Sequence, residues 1–408
     1  MKKTLLLSVV ASTMIMAGGD IAPVEPVTET QAEVAEATAS KASGWDFKGQ
    51  AVVYYETKEA GEGSLFDQEN AAAAAGIQLS AVNKNILGPI GAGFELSGLS
   101  SVGLENDVVS GLVQSATGDL TGAAITQAYL TAGLGNTSLK VGRQTLPKSL
   151  SPLAFSDDWN VFKNTFEAAL LVNTDLPDTV IAAAYVARAN SAFGPLSDFN
   201  DIHEAQDDTY FAAITNSSIS GLTLTGSFYQ LNNVKGLGDA IALWGDIQYK
   251  MNNFGIGVQG ATIDPTDVAD TLNETTALGA KLTGEMNIFG GSIAYSTVDD
   301  GTVTVNNLAG LKGERTALYT QLLVNADHIS TDNDTFAIKA YAKALNGKFI
   351  AEYAATTDNS EAENDYTELD LAYTTTLGST QLFAGYILTT QDKAEDENIV
   401  RVWGRYNF

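Results

Sequence analysis

The sequence predicts an all-β fold: a transmembrane antiparallel β-barrel, with eighteen strands expected and sixteen as the alternative. Three observations predict it. From Trp45 onward, apolar and polar residues alternate with period two in segments of ten to fourteen residues. The connections between these segments alternate between very short and long. Beyond the N-terminal leader no run of eighteen or more apolar residues occurs, so any membrane crossing must be made by strands.

In chain order, the first element is MKKTLLLSVVASTMIMAGG. Two lysines, an apolar run from Leu5 to Ala17 and small residues mark residues 1–19 as a secretory signal peptide, with cleavage expected after Ala17 or Gly19. Residues 20–43 are acidic, rich in Ala, Thr, Glu and Pro, and free of aromatics. They read as a flexible periplasmic tail, with a short Ala/Glu helix from about residue 30 as the alternative. Residues 44–408 make the barrel.

Within it, DAIALWGDIQYKMN (239–252) shows the alternation best. Ile241, Leu243, Gly245, Ile247, Tyr249 and Met251 take one face; Asp246, Gln248 and Lys250 take the other. TALGAKLTGEM repeats it, setting Leu278, Ala280, Leu282 and Met286 against Lys281, Thr283 and Glu285. YTELDLAY sets Leu369, Leu371 and Tyr373 against Glu368 and Asp370.

Short connections read NKNILGP, GLGNT, DLPDT, NSSISG, MNNFG, MNIFG, LNGK and LGST. Long acidic ones span 58–71, 100–122, 147–163, 190–207, 233–238, 265–274, 300–333, 359–364 and 391–396. Eight short turns and nine long loops fit eighteen strands with both chain ends in the periplasm. The segment 318–330 also looks extended, but a nineteenth strand would leave the C-terminus on the wrong side. Residues 300–333 are therefore assigned as one external loop, carrying its own hairpin or folding into the pore. Weak segments such as 88–99 keep sixteen strands open. A soluble β-helix, sandwich or S-layer-like protein would alternate in the same way. Segment length favours the barrel, because about nine to eleven tilted residues cross a bilayer whereas ordinary strands average nearer five or six.

Composition removes other classes. Without Cys there is no thiolate catalysis, disulfide frame or Cys-ligated zinc, and His203 and His328 are the only imidazoles. Both histidines fall in predicted loops with no nucleophile nearby, and catalysis is not expected. A net charge of -27 opposes nucleic-acid binding, which needs basic patches. GIGVQG (255–260) matches a dinucleotide fingerprint, yet it sits in an alternating strand with no helix after it.

Residues 141–187, VGRQTLPKSLSPLAFSDDWNVFKNTFEAALLVNTDLPDTVIAAAYVA, resemble the corresponding region of the OprD-like major outer-membrane porins of campylobacter-type bacteria. The shared features are GRQ-x-L-x-x-x-L, S-x-D-W-N, and NTFEA leading into a strand and a Pro-containing turn. The terminal VRVWGRYNF, ending on Phe408, is similar to the signal read by barrel-assembly machinery. The resemblance implies an eighteen-stranded diffusion porin, a homotrimer, that passes small hydrophilic solutes and ions. It also raises calcium near the pore, with Asp157, Asp158, Asp198, Asp201, Asp264, Asp267, Asp270, Asp332 and Asp334 as carboxylates in reach, although no EF-hand spacing locates a site and no cofactor is assigned.

Alternation sends Lys140, Lys250, Lys281, Lys339, Lys343, Lys348, Arg401 and Arg405 towards the lumen with Glu167, Asp246, Glu285, Glu352, Glu368 and Asp370. On the lipid side Lys or Arg would cost about 2–4 kcal/mol at midplane. Arg143 shares the register of Leu139 and Val141, so it would face lipid unless a β-bulge at Gly142 re-aims it; the expectation is that it lines the constriction. The 147–163 loop, with two prolines and Leu150, Leu153, Phe155 and Trp159, is expected to fold inward and present Asp157, Asp158 and Lys163 to Arg143 or Glu167. At the end of the chain Val400, Val402, Tyr406 and Phe408 face lipid, Tyr406 and Phe408 forming part of the periplasmic aromatic girdle. The acidic loops predict mild cation preference. A substrate-specific channel for carboxylates or amino acids, and a structural or adhesive barrel with a blocked lumen, are the rival readings.

Overall fold

The computed structural model describes residues 44–59, 63–158, 160–202, 208–234, 238–266, 272–310 and 314–408. The leader, the acidic tail, Trp159, His203, Asp267 and Asp270 lie outside them, as does the side chain of Asp201.

The wall is built in chain order from β1 (Asp46–Glu59), β2 (Ala71–Leu87), β3 (Ile90–Ser100), β4 (Thr121–Leu134), β5 (Thr137–Gln144), β6 (Phe166–Asn173) and β7 (Thr179–Ala189). A two-residue strand, β8 (Asn200–Asp201), adds to the end of β7. The wall continues through β9 (Thr209–Asn216), β10 (Leu222–Val234), β11 (Gly238–Met251), β12 (Phe254–Pro265), β13 (Thr275–Met286) and β14 (Phe289–Val298). It finishes with β15 (Asn333–Ala344), β16 (Gly347–Asp358), β17 (Tyr366–Leu377), β18 (Thr380–Gln391) and β19 (Glu397–Asn407). Apart from β8, these described elements form a closed antiparallel barrel of eighteen strands. Segment 88–99 covers the turn after β2 and nearly all of β3, and 318–330 is no spanning strand.

Closure is made by β19 on β1, with Val53 opposite Gly404, Tyr54 opposite Trp403 and Glu56 opposite Arg401. No sheet edge is left open, so backbone groups find partners inside the sheet without water. Tight turns alternate with long loops. At Leu345 and Asn346 both turn residues have positive φ, the geometry that lets a two-residue hairpin follow the twist of its strands.

The two faces differ as the alternation requires. On β11, Ile247 is 52% exposed on the outer face while Trp244 is 5% exposed on the inner one. A continuous apolar surface of this kind on a closed barrel is stable against lipid and a liability in water. Near the short turns, Phe349 and Tyr373 lie 4.7 Å apart, and Tyr406 and Phe408 stack at 5.7 Å, as in an interfacial aromatic girdle.

The long loops supply the filling of the barrel. Loop 145–165 folds inward and buries Leu146, Leu150, Leu153, Phe155 and Phe162. Loop 299–332 does the same with Leu318, Leu322 and Leu323, and carries its own small bridge between Asn306 and Thr316. The two loops bind each other: the Leu308 N–H donates to the Leu153 carbonyl at 2.8 Å, and Asn307 donates to the Phe155 carbonyl at 2.7 Å. Strands β5, β6 and β9 have only eight residues each, so the wall is lowest beside these loops.

Candidate functional site: the barrel lumen

Because pairing runs one residue for one over most of each strand, face follows parity. Lys140, Asp246, Lys250, Lys281, Glu285, Lys339, Lys343, Lys348, Glu352, Glu368, Asp370, Arg401 and Arg405 share the inward register. Near the short turns they stand open to the lumen: Lys250, Glu285 and Lys343 are exposed. Glu285 accepts from the Tyr341 hydroxyl at 2.5 Å, and Lys343 and Lys348 flank the Tyr341 ring at 5.7 and 4.9 Å. Lys140 rests 4.1 Å over the Tyr129 ring.

Higher in the barrel the charges are covered by loops. The Val324 N–H donates to Glu368 at 2.9 Å, and Lys339 donates to the Gln321 carbonyl at 2.8 Å. Glu352 and Asp370 lie opposite each other in register, both buried. Arg401 donates to Glu56 at 2.7 Å, and Arg405 donates to the Val161 carbonyl at 3.0 Å. Asp157 reaches Arg315 of the other inward loop at 3.8 Å. Burial pushes the Asp158 carboxyl up, against the pull of the nearby Lys163 and Arg405.

Three expectations are overturned: Arg143 and Glu167 do not face the lumen, and Asp157, Asp158 and Lys163 do not meet them. Gly142 adopts φ +124°, a bend that only glycine accommodates easily, but it adds no extra residue: Leu130 pairs with Val141, Tyr129 with Gly142 and Ala128 with Arg143. The extra residues sit on neighbouring strands, at Thr126 in β4 and Ala187 in β7. Arg143 therefore stays on the outer face with Val141, and Glu167, its partner in register, shares that face with Leu171. Glu167 holds two guanidiniums there, Arg143 at 2.7 Å and Arg188 at 2.5 Å, with Phe199 3.6 Å over Arg143. Consequently Asp157 meets Arg315, and Asp158 lies near Lys163 and Arg405, inside the barrel and away from Arg143 and Glu167.

Val402, Tyr406 and Phe408 are exposed on the outer face and Val400 is half-buried in the same register, while Arg401, Trp403 and Arg405 point inward. His328 stacks on Tyr366 at 3.7 Å and 9°, and burial lowers its pKa. Among the described residues no three Asp, Glu or His side chains gather as a metal-holding group. Glu56 and Glu95 stand outside the expected lumen residues, although the period of two reaches both strands that carry them. Tyr319, Glu314 and Arg315 also stand outside the expected set, because they lie in a loop where no period exists.

Solved structures with this architecture are numerous. Pseudomonas aeruginosa OccK9 (OpdG) superposes at TM-score 0.74 with 14% identity, covering 89% of this chain and 98% of its own. The barrel has the fold of the Occ porins. Acinetobacter baumannii OccAB4 gives TM-score 0.73 at 13% identity, covering 90% of this chain and 99% of its own. Pseudomonas aeruginosa OpdK, solved with vanillate, gives 0.72 at 13% identity, covering 89% and 98%. No sequence-family profile and no curated protein sequence matches the chain.

Proposed function

We propose that this chain is an outer-membrane porin of the OprD-like kind, close to the major porins of campylobacter-type bacteria. It forms a water-filled channel through which small hydrophilic solutes and ions diffuse into the periplasm. The observation that carries this reading is the pairing of an apolar outer face with an inner face of exposed lysines and carboxylates, narrowed by two inward loops. Charged walls of both signs order water and select solutes by size and charge. The leader exports the chain, the terminal strand addresses it to the assembly machinery, and the barrel works as a homotrimer; calcium remains a candidate ligand of the acidic loops.

With a net charge of -27, the acidic loops raise cation concentration at the mouth over about 8–10 Å at physiological salt. Single-channel recording of the purified, detergent-folded protein tests the reading: discrete steps with a mild cation preference that fades at high salt are expected. Anion preference in a salt gradient would remove the selectivity part, and absence of steps would favour a structural barrel with a blocked lumen.

One observation favours a second reading. Lys250, Lys281, Lys339, Lys343 and Lys348 concentrate on the inner face of β11 to β16, a wall suited to carboxylate solutes. Concentration-dependent block of the current by small carboxylates, absent with neutral sugars, would mark a substrate-specific channel.

A further inference from the structure

Loop 299–332 does more than fill space. Its segment 317–324 runs along the inner wall from β12 to β17: Gln259 donates to the Ala317 carbonyl at 3.4 Å, Thr320 and Ser296 share a hydrogen bond of 2.5 Å, and the Leu323 N–H donates to Asp370 at 3.4 Å. Leu318 and Thr320 are buried against the wall, whereas Tyr319 between them is only half-buried. Its phenol donates to Asp246 on β11 at 2.5 Å, and Lys281 on β13 sits 4.0 Å over its ring.

The backbones of Asp246 and Lys281 are two strands apart, roughly 10 Å, and the phenol ring stands between the two side chains, touching both. The strand between them carries Gly257 in the inward register beside Lys281. A methyl group there would come 2.7 Å from the phenol oxygen and 3.0 Å from the ring Cζ. The missing side chain makes the notch that receives the ring.

We propose that Tyr319 is a selectivity-determining residue of the channel: seated over Gly257, it holds the Asp246 carboxylate and the Lys281 ammonium apart as two fixed charges at the narrowed level of the lumen. The phenol occupies the carboxylate as a donor, and the ring face carries the ammonium by its quadrupole. A passing ion meets both signs side by side, and the ring edge limits the width. The assignment rests on the channel reading above.

The test uses the full mature chain, folded in detergent and recorded in planar bilayers, with heat-modifiable gel migration confirming that each variant has closed its barrel. Tyr319→Phe keeps the ring and removes only the donor, so conductance stays at the wild-type level while the potassium-to-chloride permeability ratio rises roughly twofold as Asp246 turns to the lumen. Tyr319→Ala empties the notch and raises conductance. Gly257→Ala pushes the ring off the wall and lowers it. If wild-type protein gives no steps, the channel reading itself falls. If wild-type steps appear and all three variants match them in conductance and ion ratio, Tyr319 does not set selectivity.

Discussion

Glu167 binds Arg143 and Arg188 at the ends of β5, β6 and β7 that lead into the long loops, on the side of the wall turned away from the lumen. A guanidinium in that position is tolerable because the strands end there and a carboxylate meets it, so the depth-dependent cost of facing lipid is small. Gly142 looked like the means of turning Arg143 inward. A positive φ bends a strand without changing which face follows, and only an inserted residue changes the face. In single-channel recording Arg143→Gln is therefore expected to leave conductance and ion ratio unchanged, at a stability cost of about 1 kcal/mol or less. A large shift in ion ratio would return Arg143 to the pore.

At the scale of elements, three insertions meet on one buried acid. Glu314 of loop 299–332 accepts at one oxygen from the Ser191 hydroxyl at 2.5 Å and the Ala192 N–H at 3.0 Å, and among the described residues its other oxygen has no hydrogen-bond partner. Arg315 beside it reaches Asp157 of loop 145–165. Burial pushes the Glu314 carboxyl up to about 7, with the Asp157 charge adding to the rise and the two hydrogen bonds opposing it. A folded-state pKa above the unfolded value means that the packed loops bind the extra proton. Their stability is fully present below the ordinary value of 4.5, falls as pH rises towards 7, and is then reduced by on the order of 3 kcal/mol. Hydrogen exchange of loop 299–332 should accelerate from pH 5 to pH 8 beyond the intrinsic rate change. Glu314→Gln should flatten that dependence; an unchanged pH profile in the variant would show that another group is responsible.

Across the whole molecule, closure depends on the last residues of the chain. The Phe408 N–H donates to the Gly49 carbonyl at 2.9 Å, and the Gly49 N–H donates back at 2.7 Å. Deleting 406–408 opens the lower edge of β1, and each unsatisfied backbone group in lipid costs several kcal/mol. Heat-modifiable migration should be lost in the deletion and kept in Phe408→Ala, which retains the backbone pairing. A truncated chain that closes normally would contradict this account.

Much of this architecture was legible along the chain. Period two assigns faces because successive side chains leave a strand on opposite sides, and it places Asp246, Lys281 and Glu285 opposite Leu243, Leu282 and Met286 from residue order alone. The spacing of turns sets the strand number for the same local reason, and Val402, Tyr406 and Phe408 announce an apolar surround. Three things were decided only in three dimensions. Loops 145–165 and 299–332 turn inward because their leucines and phenylalanines find each other and the wall across more than a hundred residues. Arg143 keeps its outward face because the bulges fall on β4 and β7. Tyr319 reaches Asp246 because Gly257, on β12 and far from the 299–332 loop in sequence, leaves room for its ring. Alternation is a property of neighbouring residues and can be read locally; what fills a barrel depends on contacts between segments that share no period.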